Sequence, residues 1–314
     1  PSRPTAYSAM AALISQYISK NVVHLRANLS SSLPAVPPLL LNSSSVSSFL
    51  ESKSISTVLF DCDGVMYRSG TPIPGVSSAI THLLASGLSV VFVTNSSGSN
   101  RASMADKLTK MMGTDIGPGM CLPTCYTAAW YIRKYHPEVK KVFVIGGQGI
   151  VDELNSVGIT CIGGPPTPTT PTSMSSSDCE SFTPHPNVGA VVIGMDESFN
   201  YRAIFEASTY LRDVNVRLIS TNQDSYDVLN SDVWQPAAGA MVAAVEKATN
   251  RKAVNVGKPT TRTMEVLESE YGVNRAETVM VGDRLDTDIS FGVTNGCYSA
   301  LVLSGVTGGE QAAG

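Results

Sequence analysis

Thr57-Val58-Leu59-Phe60-Asp61-Cys62-Asp63-Gly64 decides how this chain is read. A short apolar run, bounded by a polar turn, predicts a strand buried on both faces. It ends on two carboxylates one residue apart, followed by a glycine. Carboxylates so placed suit phosphoryl transfer: one attacks phosphorus and the other handles the leaving group's proton. Both can help hold a hard divalent cation. Alone, the same letters also describe an acidic surface turn, so their meaning depends on the rest of the chain.

Outward from this strand, the apolar pattern alternates between strand and helix periods. Strands are predicted over 56–60 and 88–94, and helices over 75–86, 100–112 and 124–135. A second series follows, with strands over 141–145, 158–162, 188–193 and 217–221. Helices over 148–157, 201–213 and 239–249 fall between and after them. The last series has strands over 253–256, 278–281 and 298–303 around a helix over 262–271. Residues 163–187 are dense in Pro, Ser and Thr and read as a surface loop or insertion. This order predicts an α/β fold with a doubly wound parallel, Rossmann-like sheet and an inserted α/β unit. The expected divisions are an N-terminal extension at 1–46, a core at 47–137 and 252–314, and an inserted domain at 138–251.

Composition narrows the function classes. The chain has 314 residues, 43% of them hydrophobic, enough for one large or two modest cores. Its net charge is 22 − 26 = −4 with no Lys/Arg block, so neither nucleic acid nor an anionic membrane surface is an expected partner. No apolar run reaches transmembrane length. Six cysteines lack the spacing of a disulfide scaffold, which favours a reducing, intracellular compartment. Cys121 and Cys125 have no His nearby and read as free thiols sharing a helix face. Residues 1–46 contain no Asp or Glu and are rich in Ser. They read either as a transit peptide, implying a plastid or other organelle, or as a disordered tail of a cytoplasmic protein.

Four places fall at the carboxyl ends of predicted strands, where open α/β sheets bind ligands. The first is Asp61/Asp63. The second is Thr94-Asn95-Ser96, whose hydroxyl and backbone N–H groups can bind phosphate oxygens at a helix entry. The third is Lys258 in Gly257-Lys258-Pro259, a cation able to neutralise phosphate and nucleophile charge. The fourth is Asp283 in Gly282-Asp283-Arg284-Leu285-Asp286-Thr287-Asp288, an acidic turn able to complete a Mg²⁺ site. Each taken singly has a plainer reading: an ordinary turn, a solvated lysine, a helix-capping aspartate.

Taken together, DCDGV, VTNSSG, GKP and GDRLDTDI resemble the haloacid dehalogenase superfamily of phosphatases. The long separation of Thr94 from Lys258 resembles the branch with an α/β cap between the second and third motifs. That branch holds phosphoglycolate, pyridoxal-phosphate and 4-nitrophenyl phosphatases. Asp61–Val65, the stretch 279–289 and Leu303-Ser304-Gly305-Val306-Thr307 look closest to phosphoglycolate phosphatases. The second motif departs from the branch's usual Thr-Asn-Asn at Ser96, a tolerable change where backbone amides do the binding. Pro236-Ala237-Ala238-Gly239 stands where relatives have a Gly-rich turn.

The resemblance implies a role for each residue. Asp61 is the nucleophile that forms an aspartyl-phosphate, and Asp63 is general acid and then base. Mg²⁺ is held by the Asp61 and Asp283 side chains and the Asp63 carbonyl. Thr94, Asn95, Ser96 and Lys258 cradle the phosphoryl group. Asp288 orients Lys258 or metal-bound waters. The implied partner is a small phosphomonoester, first of all 2-phosphoglycolate, and a homodimer through the cap is compatible. The alternatives are a pyridoxal-phosphate or broad 4-nitrophenyl phosphatase and, outside enzymes, an inactive binding or scaffold member. Three other motifs fail. Lys252 stands where a P-loop needs its first glycine, Asp152 breaks a dinucleotide fingerprint after Gly146-Gly147, and no G-x-S-x-G occurs.

Overall fold

The computed structural model describes residues 23–26, 39–41, 52–167, 170–230 and 233–307. These divide into two compact units. The first runs up to Thr94 and includes Met104–Leu122 and the chain from Lys258 onward; the second is Asn95–Ser103 with Pro123–Gly257.

The first unit is built on a sheet with the order β2-β1-β16-β15-β3-β6-β7. Its strands are β1 (Val23–Arg26), β2 (Leu39–Leu41), β3 (Thr57–Phe60), β6 (Ser89–Thr94), β7 (Cys121–Pro123), β15 (Thr278–Gly282) and β16 (Tyr298–Val302). β3 is parallel to both neighbours, with Phe60 opposite Val281 of β15 and Phe92 of β6. All four residues of β3 are buried, as a central parallel strand covered on both faces requires. Phe60 and Phe92 meet at 6.4 Å between ring centroids. Helix α1 (Val76–Ala85) buries Val76, Ala79, Ile80 and Leu83, the 3.6-residue stripe that made it legible. Helix α2 (Arg101–Met112) buries Met104, Ala105, Leu108 and Met112 in the same way.

Two pieces of the N-terminal extension join this sheet. β1 pairs antiparallel with β16, and β2 pairs antiparallel with β1. The Val-His-Leu-Arg alternation of β1 has the period of a strand, which the tail and transit-peptide readings passed over. The rest of residues 1–46 lies outside the described residues.

The second unit has a parallel sheet in the order β14-β11-β10-β8-β9. Its strands are β8 (Lys141–Ile145), β9 (Thr160–Gly163), β10 (Ala190–Ile193), β11 (Arg217–Ser220) and β14 (Val254–Asn255). Its core gathers Phe143, Ile145, Val191, Ile193, Leu211, Leu218 and Val245 among others. This unit is wider than the 138–251 read from the sequence. Helix α3 (Thr124–Tyr135), expected in the core, belongs to it and is buried from Thr124 through Ile132. β14, also expected in the core, hydrogen-bonds to β11. Apolar periodicity marks an element but not the sheet it enters.

Smaller elements escaped the sequence reading. Hairpins β4 (Tyr67–Arg68)/β5 (Thr71–Pro72) and β12 (Tyr226–Asn230)/β13 (Val233–Pro236) are short and turn-like. The 163–187 insertion carries a helix, Ser176–Ser181, started by a Ser175/Asp178 capping box. Cys121 sits on β7 and Cys125 on α3, so they do not share a helix face; both are buried free thiols.

Candidate active site

Because β15, β3 and β6 run parallel and adjacent, their carboxyl ends open on one edge of the sheet. The chain places Asp283 after β15, Asp61 after β3 and Thr94 at the end of β6. The Asp61 N–H donates to the Val281 carbonyl at 2.9 Å, which extends the ladder to the carboxylate itself. Beyond Asp61 the chain turns sharply. The Cys62 carbonyl accepts from the N–H groups of Val65, Met66 and Tyr67, and Gly64 takes φ 80°, a left-handed conformation suited to glycine.

Lys258 comes from far along the sequence into this edge. Its side chain is buried, and Nζ donates to Asp61 Oδ1 at 2.6 Å, Asp288 Oδ1 at 2.7 Å and the Val93 carbonyl at 2.8 Å. Three donors meet three acceptors, so the ammonium is fully satisfied. Burial alone would lower its proton affinity, but Asp288 and Asp61 outweigh that and hold it above the ordinary lysine range.

Asp283 and Asp288 are fixed by backbone donors. Asp288 Oδ2 accepts from the N–H groups of Asp283 and Arg284 at 3.2 and 3.1 Å. This bond is made from a π-type turn at Leu285–Ile289, which swings Asp288 back under Asp283. Asp283 Oδ2 accepts from the Val306 N–H at 2.6 Å. Its other oxygen, Oδ1, is buried with no hydrogen-bond partner. Burial, and then the neighbouring Asp288 charge, push the Asp283 carboxyl up to about 7.

These features test whether the cluster suits a divalent cation. Asp61, Asp283 and Asp288 each offer a carboxylate oxygen within 4.8 Å of the others, the one such group among the described residues. Three carboxylates against the Lys258 ammonium leave negative charge to be balanced. The orphaned Asp283 Oδ1 is a donor atom waiting for a partner. Both Asp288 oxygens already face N–H donors, so Asp61 and Asp283 are the better ligands of the three. The donor set is all oxygen and fits a hard cation.

The remaining predicted residues fall nearby or elsewhere. Asp63 is exposed, and its Oδ2 accepts from the Tyr67 hydroxyl at 3.3 Å. Thr94 is buried, next to the Val93 carbonyl that Lys258 uses. Asn95 and Ser96 are counted with the second unit. There the Asn95 side chain donates to both Asp224 oxygens at 3.0 and 3.1 Å. Its carbonyl accepts from Thr124 Oγ1 and Asn222 Nδ2, both at 2.7 Å. The sequence reading missed Tyr67, Asn222 and Asp224. The last two lie in Thr221-Asn222-Gln223-Asp224 after a predicted strand end, a signal that was available.

Comparison with known proteins agrees with this geometry. Residues 58–160 match the family model for haloacid dehalogenase-like hydrolases, and residues 255–314 match a second model described as HAD-hydrolase-like. Phosphoglycolate phosphatase 2 of Arabidopsis thaliana is 39% identical over 86% of this chain and 89% of its own length. Human glycerol-3-phosphate phosphatase is 38% identical over 81% of this chain and 80% of its own. Among solved structures, the p-nitrophenyl phosphatase from Archaeoglobus fulgidus superposes with a TM-score of 0.68 at 28% identity, covering 82% of this chain and 89% of that one. Sharing 39% of its aligned residues with a phosphatase that it matches over 89% of that protein's length, the chain belongs to the haloacid dehalogenase-like hydrolases, on their phosphatase branch.

Proposed function

We propose that this protein hydrolyses a small organic phosphomonoester through an aspartyl-phosphate on Asp61, with 2-phosphoglycolate as its first substrate. The observation that carries the reading is the Asp61–Lys258–Asp288 contact at the carboxyl end of β3. A buried ammonium 2.6 Å from Asp61 Oδ1 orients the carboxylate for attack and opposes the upward push that burial, with Asp288 and Asp283, gives its carboxyl. In the first step a new Asp61 O–P bond forms as the P–O bond to the leaving group breaks, and Asp63 gives its proton to the departing oxygen. In the second, Asp63 takes a proton from water, whose oxygen attacks phosphorus and releases Asp61. Although Asp63 reaches solvent, partial desolvation of its carboxyl pushes it above the usual range, opposed by Lys107 and Tyr67, which suits a group that must hold and then surrender a proton.

The Asp61 and Asp283 side chains, with the Asp63 carbonyl, would hold Mg²⁺, which supplies charge stabilisation to the transferring phosphoryl group. Lys258, the Thr94 hydroxyl and the N–H groups of Asn95 and Ser96 would bind its oxygens. The inserted second unit, chiefly residues 123–257, would act as the cap that selects the leaving group, since the residues around Asp61 address only the phosphoryl end.

The Arabidopsis relative supports phosphoglycolate, and the human one makes glycerol 3-phosphate the second reading. The deciding experiment is a panel with Mg²⁺: phosphoglycolate, glycerol 3-phosphate, pyridoxal phosphate, 4-nitrophenyl phosphate and a phosphotyrosine peptide. The highest kcat/KM should fall on phosphoglycolate. Preference for glycerol 3-phosphate or pyridoxal phosphate would reassign the substrate. Inertness toward all five would favour a binding member.

A further inference from the structure

Asp63 is the exposed member of the DxD pair, yet a proton-transfer group must present one oxygen reproducibly. Tyr67 is placed to impose this. Its ring is buried with Val65 and Met66 in the core of the first unit. Its N–H donates to the Cys62 carbonyl at 3.3 Å, and its own carbonyl accepts from the Gly64 N–H at 2.8 Å. The backbone therefore closes residues 62–67 into a loop with Asp63 and Tyr67 facing across it, as an isolated bridge between them records. The phenol then reaches Asp63 Oδ2 at 3.3 Å. That is longer than the roughly 2.8 Å usual for O–H donors, as catalytic hydrogen bonds commonly are before substrate binds. From α2, the Lys107 ammonium lies 3.9 Å from the centroid of the same ring. This cation–π contact adds a second hold on the ring.

We propose that Tyr67, steadied by Lys107, is a positioning residue that ties down Asp63 Oδ2 and so reserves Oδ1 for the proton. The inference rests on the acid–base role proposed for Asp63. When the P–O bond to the leaving group breaks, the proton passes from Oδ1 to the departing oxygen; when water attacks, Oδ1 recovers a proton from it. The Tyr67 hydroxyl donates to Oδ2 throughout and is not consumed.

Tyr67→Phe keeps the ring, its packing and the Lys107 contact, and removes only the hydroxyl. The test compares kcat/KM for the best alkyl phosphate with that for 4-nitrophenyl phosphate, whose good leaving group needs little protonation. Tyr67→Phe should cost about tenfold on the alkyl substrate and under about threefold on the aryl one. Lys107→Met should shift the same ratio less, and should add little in the Tyr67→Phe background, as coupled residues do. Asp63→Asn is the control and should lose alkyl turnover almost entirely. Equal losses on both substrates, or none, in Tyr67→Phe would overturn the inference while leaving the role of Asp63 intact. Retained alkyl turnover in Asp63→Asn would overturn both.

Discussion

Lys258 Nζ stands 2.6 Å from Asp61 Oδ1 across 197 residues of sequence, and the same ammonium is 2.7 Å from Asp288. One buried cation thus links the carboxyl end of β3 to the turn after β15. Breaking a buried ion pair by removing one partner leaves uncompensated charge and typically costs about 3–5 kcal/mol.

Lys258→Met should therefore destabilise the metal-free protein by about 3 kcal/mol, read from urea unfolding in EDTA. Asp288→Asn in the same chain should recover part of the loss, because it removes one stranded carboxylate. A Lys258→Met protein as stable as wild type would mean that the ammonium is not the countercharge of this cluster.

Asp61→Asn should leave the fold intact and abolish turnover, since an amide is no nucleophile toward phosphorus. Lys258 retains Asp288 and the Val93 carbonyl in this variant, so thermal melting should move by only a few degrees. Retention of even a tenth of wild-type kcat, about 1.4 kcal/mol in barrier, would exclude Asp61 as the attacking group.

Divalent cation should bind the folded protein and stabilise it by mass action. Mg²⁺ should raise the Tm of the EDTA-treated protein by several degrees, and Asp283→Asn should remove most of that rise. Activity should follow: silent in EDTA, restored by Mg²⁺, inhibited by Ca²⁺, which prefers more ligands at longer distances. A Tm insensitive to Mg²⁺, with full activity in EDTA, would contradict a metal role for Asp61 and Asp283.

Much of this was legible because it depends on local pattern. The strands Thr57–Phe60, Ser89–Thr94 and Thr278–Gly282 were legible from apolar runs, and Asp61, Thr94 and Asp283 at or just past their ends are brought to one edge by parallel order. Other features depend on partners distant in sequence. β14 looks like any short strand, and only its pairing with β11 assigns it to the second sheet. Tyr67 belongs to no motif; its ring is core, and its hydroxyl matters because a tight turn folds it back onto Asp63. Asn95 read as a phosphate ligand through its backbone N–H, but nothing local could show that its side chain donates to Asp224, 129 residues away.

Asp283 also packs closely against the backbone of two glycines, and this gives a prediction at residues with no chemistry of their own. A Cβ built on Gly305 would lie 1.8 Å from Asp283 Oδ2, and one on Gly64 would lie 2.5 Å from the same oxygen. Neither position has room for a methyl group while Asp283 stays where it is. Gly64 adds the strain of φ 80° for any other residue. At Gly305 the methyl would drive Asp283 away from the Val306 N–H, the 2.6 Å bond that orients it. Under the metal role proposed for Asp283, its displacement should damage the metal site before it damages the fold. Gly305→Ala should weaken Mg²⁺ binding by about tenfold or more, the range seen when the support of a metal ligand is removed. A calorimetric titration would measure this. The apo-protein Tm should fall modestly, and high Mg²⁺ should restore part of kcat. Unchanged Mg²⁺ affinity would show that Asp283 moves without cost, and that close backbone packing around it plays no part in holding the cation.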